Sequence, residues 1–197
     1  VDPGFNQNLG DRYFAGLHGS HRLNADWEAS LRLSLTQLET SVDNNLFFNL
    51  AQPNGDLERF YFNGPTTLRN YQTTFTLTGH INSGVAKHTL LAGYDFFYLS
   101  TKFSGDNAVS APPFNIFAPT FSNPAPVFDQ GSFSGSTAET WHGLYLQDQI
   151  ELPYHIHLLA GARYDNTRGT DNQLGVTTYE EDRLSPRGGL LWQPLPW

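Results

Sequence analysis

Cysteine and methionine are both absent from the 197 residues. Without cysteine there is no disulfide framework and no thiolate metal site. With Val1 rather than methionine in first place, the chain reads as a processed product or a fragment. Basic residues are also scarce, 11 Lys and Arg against 19 Asp and Glu. The resulting net charge of −8 argues against nucleic acid as a partner, because phosphate binding needs a basic face. No stretch joins a charged start, an apolar core and a cleavage site, so no signal peptide is expected. No apolar run approaches the roughly 20 residues of a membrane helix. There is no G-x-S-x-G, no phosphate-binding glycine loop and no H-E-x-x-H, so neither enzyme activity nor a cofactor is expected.

What the chain has is aromatics, at 14 %, together with 18 Gly and 12 Pro. Many aromatics, many turn formers and no long helical pattern indicate an all-β chain. Alternation is the main signal. From Trp27 the chain reads W-E-A-S-L-R-L-S-L-T, which sets Trp27, Ala29, Leu31, Leu33 and Leu35 on one face and Glu28, Ser30, Arg32, Ser34 and Thr36 on the other. Successive strand residues point to opposite faces, so this is a sheet with one apolar and one polar side. Tyr71, Thr73, Phe75, Leu77 and Ile81 repeat the apolar row, with Gln72, Thr74, Thr76, Thr78 and His80 opposing them. Leu144 and Leu146 oppose Tyr145 and Gln147; Ile156, Leu158, Ala160, Ala162 and Tyr164 oppose His157, Leu159, Arg163 and Asp165. The leucines of 26–38 recur at spacing two rather than three and four, which favours a strand over a helix.

This pattern predicts about seven strands, near 9–20, 25–38, 67–82, 87–103, 139–152, 155–168 and 183–193. The connections after His18, Ile81 and Leu152 are tight, while those after Leu38, Phe103 and Arg168 run to about 28, 35 and 14 residues. In an antiparallel meander every second connection falls at the same end. Short turns therefore gather at one end and long loops at the other, as in outer-membrane barrels. Trp27, Tyr154 and Trp192 fall near the short-turn end, and Tyr71, Tyr98, Trp141 and Tyr164 nearer the other, like the aromatic girdles of such a barrel. The alternative is a soluble β-sandwich, a carbohydrate-binding or hydrolytic module, with the same residues capping its core. The leucines discriminate: a sandwich buries them between two sheets, whereas a barrel wall leaves them in an outward band. A short echo also stands out. "LLAG" occurs at Leu90–Gly93 and Leu158–Gly161, each after a tight turn and an exposed His, with Asp95 and Asp165 soon after.

Four stretches in order, "HTLLAGYDF" at His88–Phe96, "GLYLQDQIEL" at Gly143–Leu152, "LLAGARYD" at Leu158–Asp165 and "SPRGGLLWQP" at Ser185–Pro194, resemble barrel strands of TonB-dependent siderophore receptors of the ferric-hydroxamate, ferrichrome type. "FNIFAP" at Phe114–Pro119 is similar to a segment of a long extracellular loop in that family, and "RYFAGLHGSHRLNADWEASLRLSL" fits its early strands. The resemblance covers nearly the whole chain. It implies an antiparallel up-and-down meander of about seven strands within a barrel of about 22, placed in the outer membrane of a Gram-negative bacterium. It implies uptake of a ferric siderophore driven by the TonB complex acting on a plug domain, with outer-membrane lipid around the wall. A cobalamin-like ligand is a related possibility. Neither a plug nor a TonB box appears, so residues 1–197 are expected to be a middle barrel segment with no transport of its own.

For residues that could carry chemistry, the long loop Ser104–Ala138 is foremost. It holds Phe114, Phe117, Phe121, Phe128 and Phe133 amid Pro, Ser and Asn. Aromatics at a barrel mouth can line a pocket for a bulky ligand, and Phe114, Phe117 and Phe121 are the expected ligand contacts. The bland reading is that they pack the loop on its neighbours. His155 and His157, at i and i+2, have a spacing that can hold a metal, but nothing completes the set, so no metal site is expected. Glu180, Glu181 and Asp182 are read as a solvated loop tip.

Overall fold

In the computed structural model, residues 7–48, 52–57, 59–109, 114–119 and 127–194 are described. Seven long strands follow the alternating stretches: β1 (Gln7–Arg22), β2 (Trp27–Phe48), β4 (Arg59–Ser83), β5 (Ala86–Val109), β7 (Ser132–Leu152), β8 (Ile156–Asp171) and β9 (Val176–Trp192). They form one sheet in the order β1-β2-β4-β5-β7-β8-β9. Each long strand thus pairs with the next long strand in the chain, an antiparallel meander without crossovers. Two short strands, β3 (Asp56–Leu57) and β6 (Phe114–Asn115), form a separate two-stranded sheet.

The strands run further than the alternation implied. β2 continues to Phe48 and β5 to Val109, while β7 begins at Ser132. These extensions read S-V-D-N-N-L and S-G-D-N-A-V, with no apolar row. Backbone ladder bonds sustain them, so a hydrophobic pattern cannot reveal them. The expected 14-residue loop after Arg168 is a four-residue turn, Asn172–Gly175, between β8 and β9. Glu180, Glu181 and Asp182 are not a loop tip: they lie in β9 opposite Arg168, Thr167 and Asn166. An acidic run at a solvated position looks the same in sequence whether its backbone is paired or free.

The tight turns have local causes. In the first, the Asn24 side-chain oxygen accepts hydrogen bonds from the N–H groups of Asp26 at 2.9 Å and Trp27 at 3.0 Å. Asn stabilises turns in this way by standing in for a backbone acceptor. The second is the two-residue turn Gly84–Val85, where Gly84 has φ of +70°. A glycine adopts that conformation without steric cost. The third is a single 3₁₀ turn, Pro153–His155, in which Tyr154 and His155 have φ of 65° and 58°.

The chain divides into two compact units, one of residues 1–13, 37–69 and 100–137, the other of residues 14–36, 70–99 and 138–197. In the second unit the polar face is the packed one. Gln147 is buried at 8 % exposure, while Leu144 and Leu146 beside it are 63 % and 59 % exposed. Leu31, Leu33, Leu184 and Leu190 are likewise exposed. Leu158 and Ala160 pair with Leu190 and Gly188, whereas Arg163 pairs with Ser185, so the two rows stay on their own faces. Among the described residues the buried apolar side chains are only Tyr61, Ala86, Ala108 and Ala138. A β-sandwich would bury the leucines between two sheets; here they line one face of a single sheet. Trp141 is a correction to the expected aromatic bands. By alternation along β7 it shares the face of Gly143, Tyr145 and Gln147, and its ring meets Phe97 at 5.8 Å. Tyr71 and Tyr98 do form an aromatic pair, their rings 5.9 Å apart.

Candidate functional site

The first unit carries a small platform built from two connecting segments. The β3–β6 pairing sets Asp56 opposite Asn115 and Leu57 opposite Phe114. It is reinforced by Ile116, whose N–H donates to the Gly55 carbonyl at 2.9 Å. The sequence P-N-G-D at Pro53–Asp56 makes the underlying turn: the Asn54 side chain accepts from the Asp56 N–H at 3.1 Å, and Gly55 takes φ of +87°. Across from it, the Asn115 amide donates to Asp56 Oδ1 at 2.7 Å. Phe117 lies against Gly55, where even a Cβ atom would collide with the ring. That contact covers part of Phe117, which remains 75 % exposed, with Ile116 beside it at 45 %.

The structure thus separates the expected ligand contacts. Phe117 is displayed, and Phe114 is half-buried in β6. Phe121 lies outside the described residues. Phe133 is in β7 rather than in a loop and packs on Phe62 and Phe103, with ring centroids at 6.0 and 6.3 Å. The Phe62–Phe103–Phe133 cluster joins three strands, which spacing along one segment does not reveal. Beside it runs a polar hollow of about 560 Å³ lined by Ser41, Asn63, Ser104, Asp106 and Ser132 among others. The Ser132 hydroxyl donates to Asp106 there, at 2.6 Å.

The second unit holds a charged network on the polar face. Arg163 donates through Nη1 to Asp95 Oδ2 and through Nε to Asp165 Oδ1, both at 2.7 Å. Its guanidinium stands 5.5 Å from the centroid of the Tyr145 ring. Gly143 makes room: a side chain there would overlap the guanidinium. Arginine suits this place because its planar fork binds two carboxylates and stacks on an aromatic at once. Nearer the short turns a groove of about 540 Å³ is lined by residues including His80, Lys87, Gln149, Glu151 and His157. His155 does not join His157 on a strand face, because it lies in the turn with positive φ.

A second polar group lies in the same unit. Ser83 Oγ is 2.8 Å from His88 Nε2, and His88 Nδ1 is 2.7 Å from Asp148 Oδ2. Alternation puts Asp148 on the leucine face with Leu144 and Leu146, about three-quarters buried. The other carboxylate oxygen, Oδ1, is buried and has no partner among the described residues. The chain of contacts ties β4, β5 and β7 together near their short-turn ends.

One sheet in meander order, leucines outward and polar side chains packed, is a barrel-wall pattern. The sequence profile of the TonB dependent receptor-like, beta-barrel family matches residues 2–197. The chain belongs to this family. No curated protein matches it in sequence. Among solved structures it is similar to BauA, the ferric preacinetobactin receptor from Acinetobacter baumannii, at 15 % identity and a TM-score of 0.76, over 98 % of this chain and 30 % of that one. It is also similar to the siderophore receptor PiuA from the same organism, at 14 % identity, TM-score 0.67, over 98 % of this chain and 31 % of PiuA. The unliganded ferric citrate transporter FecA aligns at 15 % identity, TM-score 0.66, over 96 % of this chain and 26 % of FecA. These likenesses are of fold, and the chain spans under a third of each receptor.

Proposed function

We propose that residues 1–197 are part of the barrel wall of an outer-membrane receptor that takes up a ferric siderophore, of hydroxamate type, in a Gram-negative bacterium. The observation that carries this reading is the inverted sheet: a row of exposed leucines on one face and packed Gln147, Arg163 and Asp95 on the other. A band of leucines is costly in water and favourable against lipid, and polar residues lining the opposite face suit a water-filled or plugged lumen. β1 and β9 are the edges of the sheet, and further strands would pair with them. A plug domain, reached by the TonB complex, belongs to the whole receptor and not to this segment. BauA is a ferric preacinetobactin receptor, PiuA a siderophore receptor and FecA a ferric citrate transporter, which supports the iron-chelate class. The likeness of Phe114–Pro119 to a ferrichrome-type loop supports the hydroxamate type within it.

The wall performs no covalent chemistry on this reading. It holds the membrane position, lines the path and displays Phe117 for capture. The test is titration of the full-length receptor, in outer-membrane vesicles, with a ferric trihydroxamate, a ferric catecholate and ferric citrate. Tightest binding of the trihydroxamate is expected. Tighter binding of either other complex would overturn the hydroxamate type, and binding of none would overturn the siderophore reading.

A further inference from the structure

We propose that Asn115 is a positioning residue that locks segments 52–57 and 114–119 into one platform and thereby sets the Phe117 ring for ligand. Only the last clause rests on the siderophore reading. All the hydrogen-bonding capacity of the Asn115 side chain is used. Its Nδ2 donates to Asp56 Oδ1 at 2.7 Å and to the Asn54 carbonyl at 3.1 Å, both in the other segment. Its Oδ1 accepts from the N–H groups of Phe117 at 2.9 Å and Ala118 at 3.1 Å, in its own segment. One amide, with two donors and one two-lone-pair acceptor, therefore makes four bonds, two to each side. Asp56 is held from below as well, because Asn54 Nδ2 donates to its Oδ2 at 2.7 Å.

This arrangement needs asparagine. Aspartate would keep the acceptor for Phe117 and Ala118 but would lose both donors and set a carboxylate against Asp56. Alanine would lose every bond. The turn that Asn115 shapes within its own segment places the Phe117 ring on Gly55 of the other, so clamp and ring depend on the same two segments. A ring fixed before the ligand arrives gives up less rotational freedom on binding, and preorganisation of this kind raises affinity without a new contact.

The experiment uses the full-length receptor and three variants: Asn115→Asp, Asn115→Asp with Asp56→Asn, and Asn115→Asp with Phe117→Ala. Amide hydrogen exchange of the ligand-free protein is read over both segments. Exchange in 52–57 and 114–119 should rise about tenfold in Asn115→Asp, since bonds to a charged partner are lost at once. It should return towards the parent when Asp56→Asn restores a donor–acceptor pair of reversed sense. Unchanged exchange in 52–57 would overturn the clamp. Affinity for a ferric trihydroxamate supplies the second readout. Asn115→Asp should weaken it about tenfold in the parent and hardly at all when Phe117 is already alanine, because coupled residues are non-additive. An equal loss in both backgrounds would overturn action through Phe117. If the parent binds no ferric trihydroxamate, the siderophore reading fails by itself, and the exchange data still decide the clamp.

Discussion

Arg163 and Asp95 stand 68 residues apart in sequence and meet at 2.7 Å. The two Asp residues that follow the "LLAG" echo, Asp95 and Asp165, both end on this one guanidinium. Counted from the first leucine of each copy, the place of Asp95 is taken by Arg163 in the second, so equivalent positions carry opposite charges that pair on one polar face, and Asp165 adds a second carboxylate to the same guanidinium. Removing the cation leaves those carboxylates close together with nothing to offset them.

Arg163→Ala should therefore lower the thermal stability of the full-length receptor in detergent by about 1–3 kcal/mol, a range set by charged hydrogen bonds and tempered by a third of the side chain being exposed. Arg163→Lys keeps the charge and loses the fork and the stack, so it should fall between alanine and parent. Asp95→Asn with Asp165→Asn should recover part of the alanine loss. Thermal melts showing Arg163→Ala as stable as the parent would remove the network from the account of the wall.

Adjacent positions on β8 test which face meets lipid. Leu158→Arg should destabilise the membrane-inserted receptor by about 1–2 kcal/mol, because Leu158 lies close to the short turn and the cost of arginine falls from about 2–4 kcal/mol at the bilayer midplane towards the interface. Leu159→Arg, one residue along and on the other face, should cost much less. Unfolding in lipid vesicles measures both. Equal costs would contradict an apolar face turned to lipid, and a larger cost for Leu159 would invert it.

His88 Nδ1 and Asp148 Oδ2 meet at 2.7 Å on the leucine face, each side chain about a quarter exposed. Breaking the pair from one side strands a carboxylate there. His88→Leu should cost about 2–3 kcal/mol, whereas His88→Leu with Asp148→Leu should regain most of it, because replacing both partners by apolar groups avoids the unpaired charge. Ser83→Ala removes an exposed hydroxyl and should cost under about 1 kcal/mol. The same melts decide: a double variant no more stable than His88→Leu would show that Asp148 gains nothing from the histidine.

Much of this architecture was legible in the residues themselves. Leu31, Leu33 and Leu35, and again Leu144 and Leu146, gave the strands and their faces because a period of two admits one apolar side. Strand ends were less legible, since Ser104–Val109 continues β5 through ladder bonds and polar side-chain bonds such as that of Ser132 to Asp106, with no apolar row. Trp141 was misplaced by its residue type, although its odd-numbered place beside Tyr145 assigns its face. The Arg163 network, the phenylalanine cluster and the His88–Asp148 pair each join different strands, so only the register brings them together. The platform had one local signal that could have found it: Pro53–Asp56 reads as a turn, and Asn115 lies in the segment that pairs with it.

Phe117 is the residue on which the capture reading is most exposed to test. Its ring rests on Gly55 and leaves 75 % of the residue open to solvent, a combination that displays a rigid apolar surface. Phe114, half-buried opposite Leu57, is placed to support the platform rather than to meet a ligand first. Truncating a ligand-contacting aromatic commonly costs 2 kcal/mol or more, roughly thirtyfold in affinity. Phe117→Ala should therefore weaken binding of a ferric trihydroxamate to the full-length receptor by about that factor, with surface expression unchanged. Phe114→Ala should weaken it less and should raise amide exchange in 52–57, because truncating a half-buried aromatic loosens the β3–β6 pairing. Gly55→Ala should behave like Phe117→Ala, since the added methyl pushes the ring from its seat and strains a backbone at positive φ. Unchanged affinity in both Phe117→Ala and Gly55→Ala would return Phe117 to loop packing. The ligand contacts would then have to be sought on other parts of the receptor.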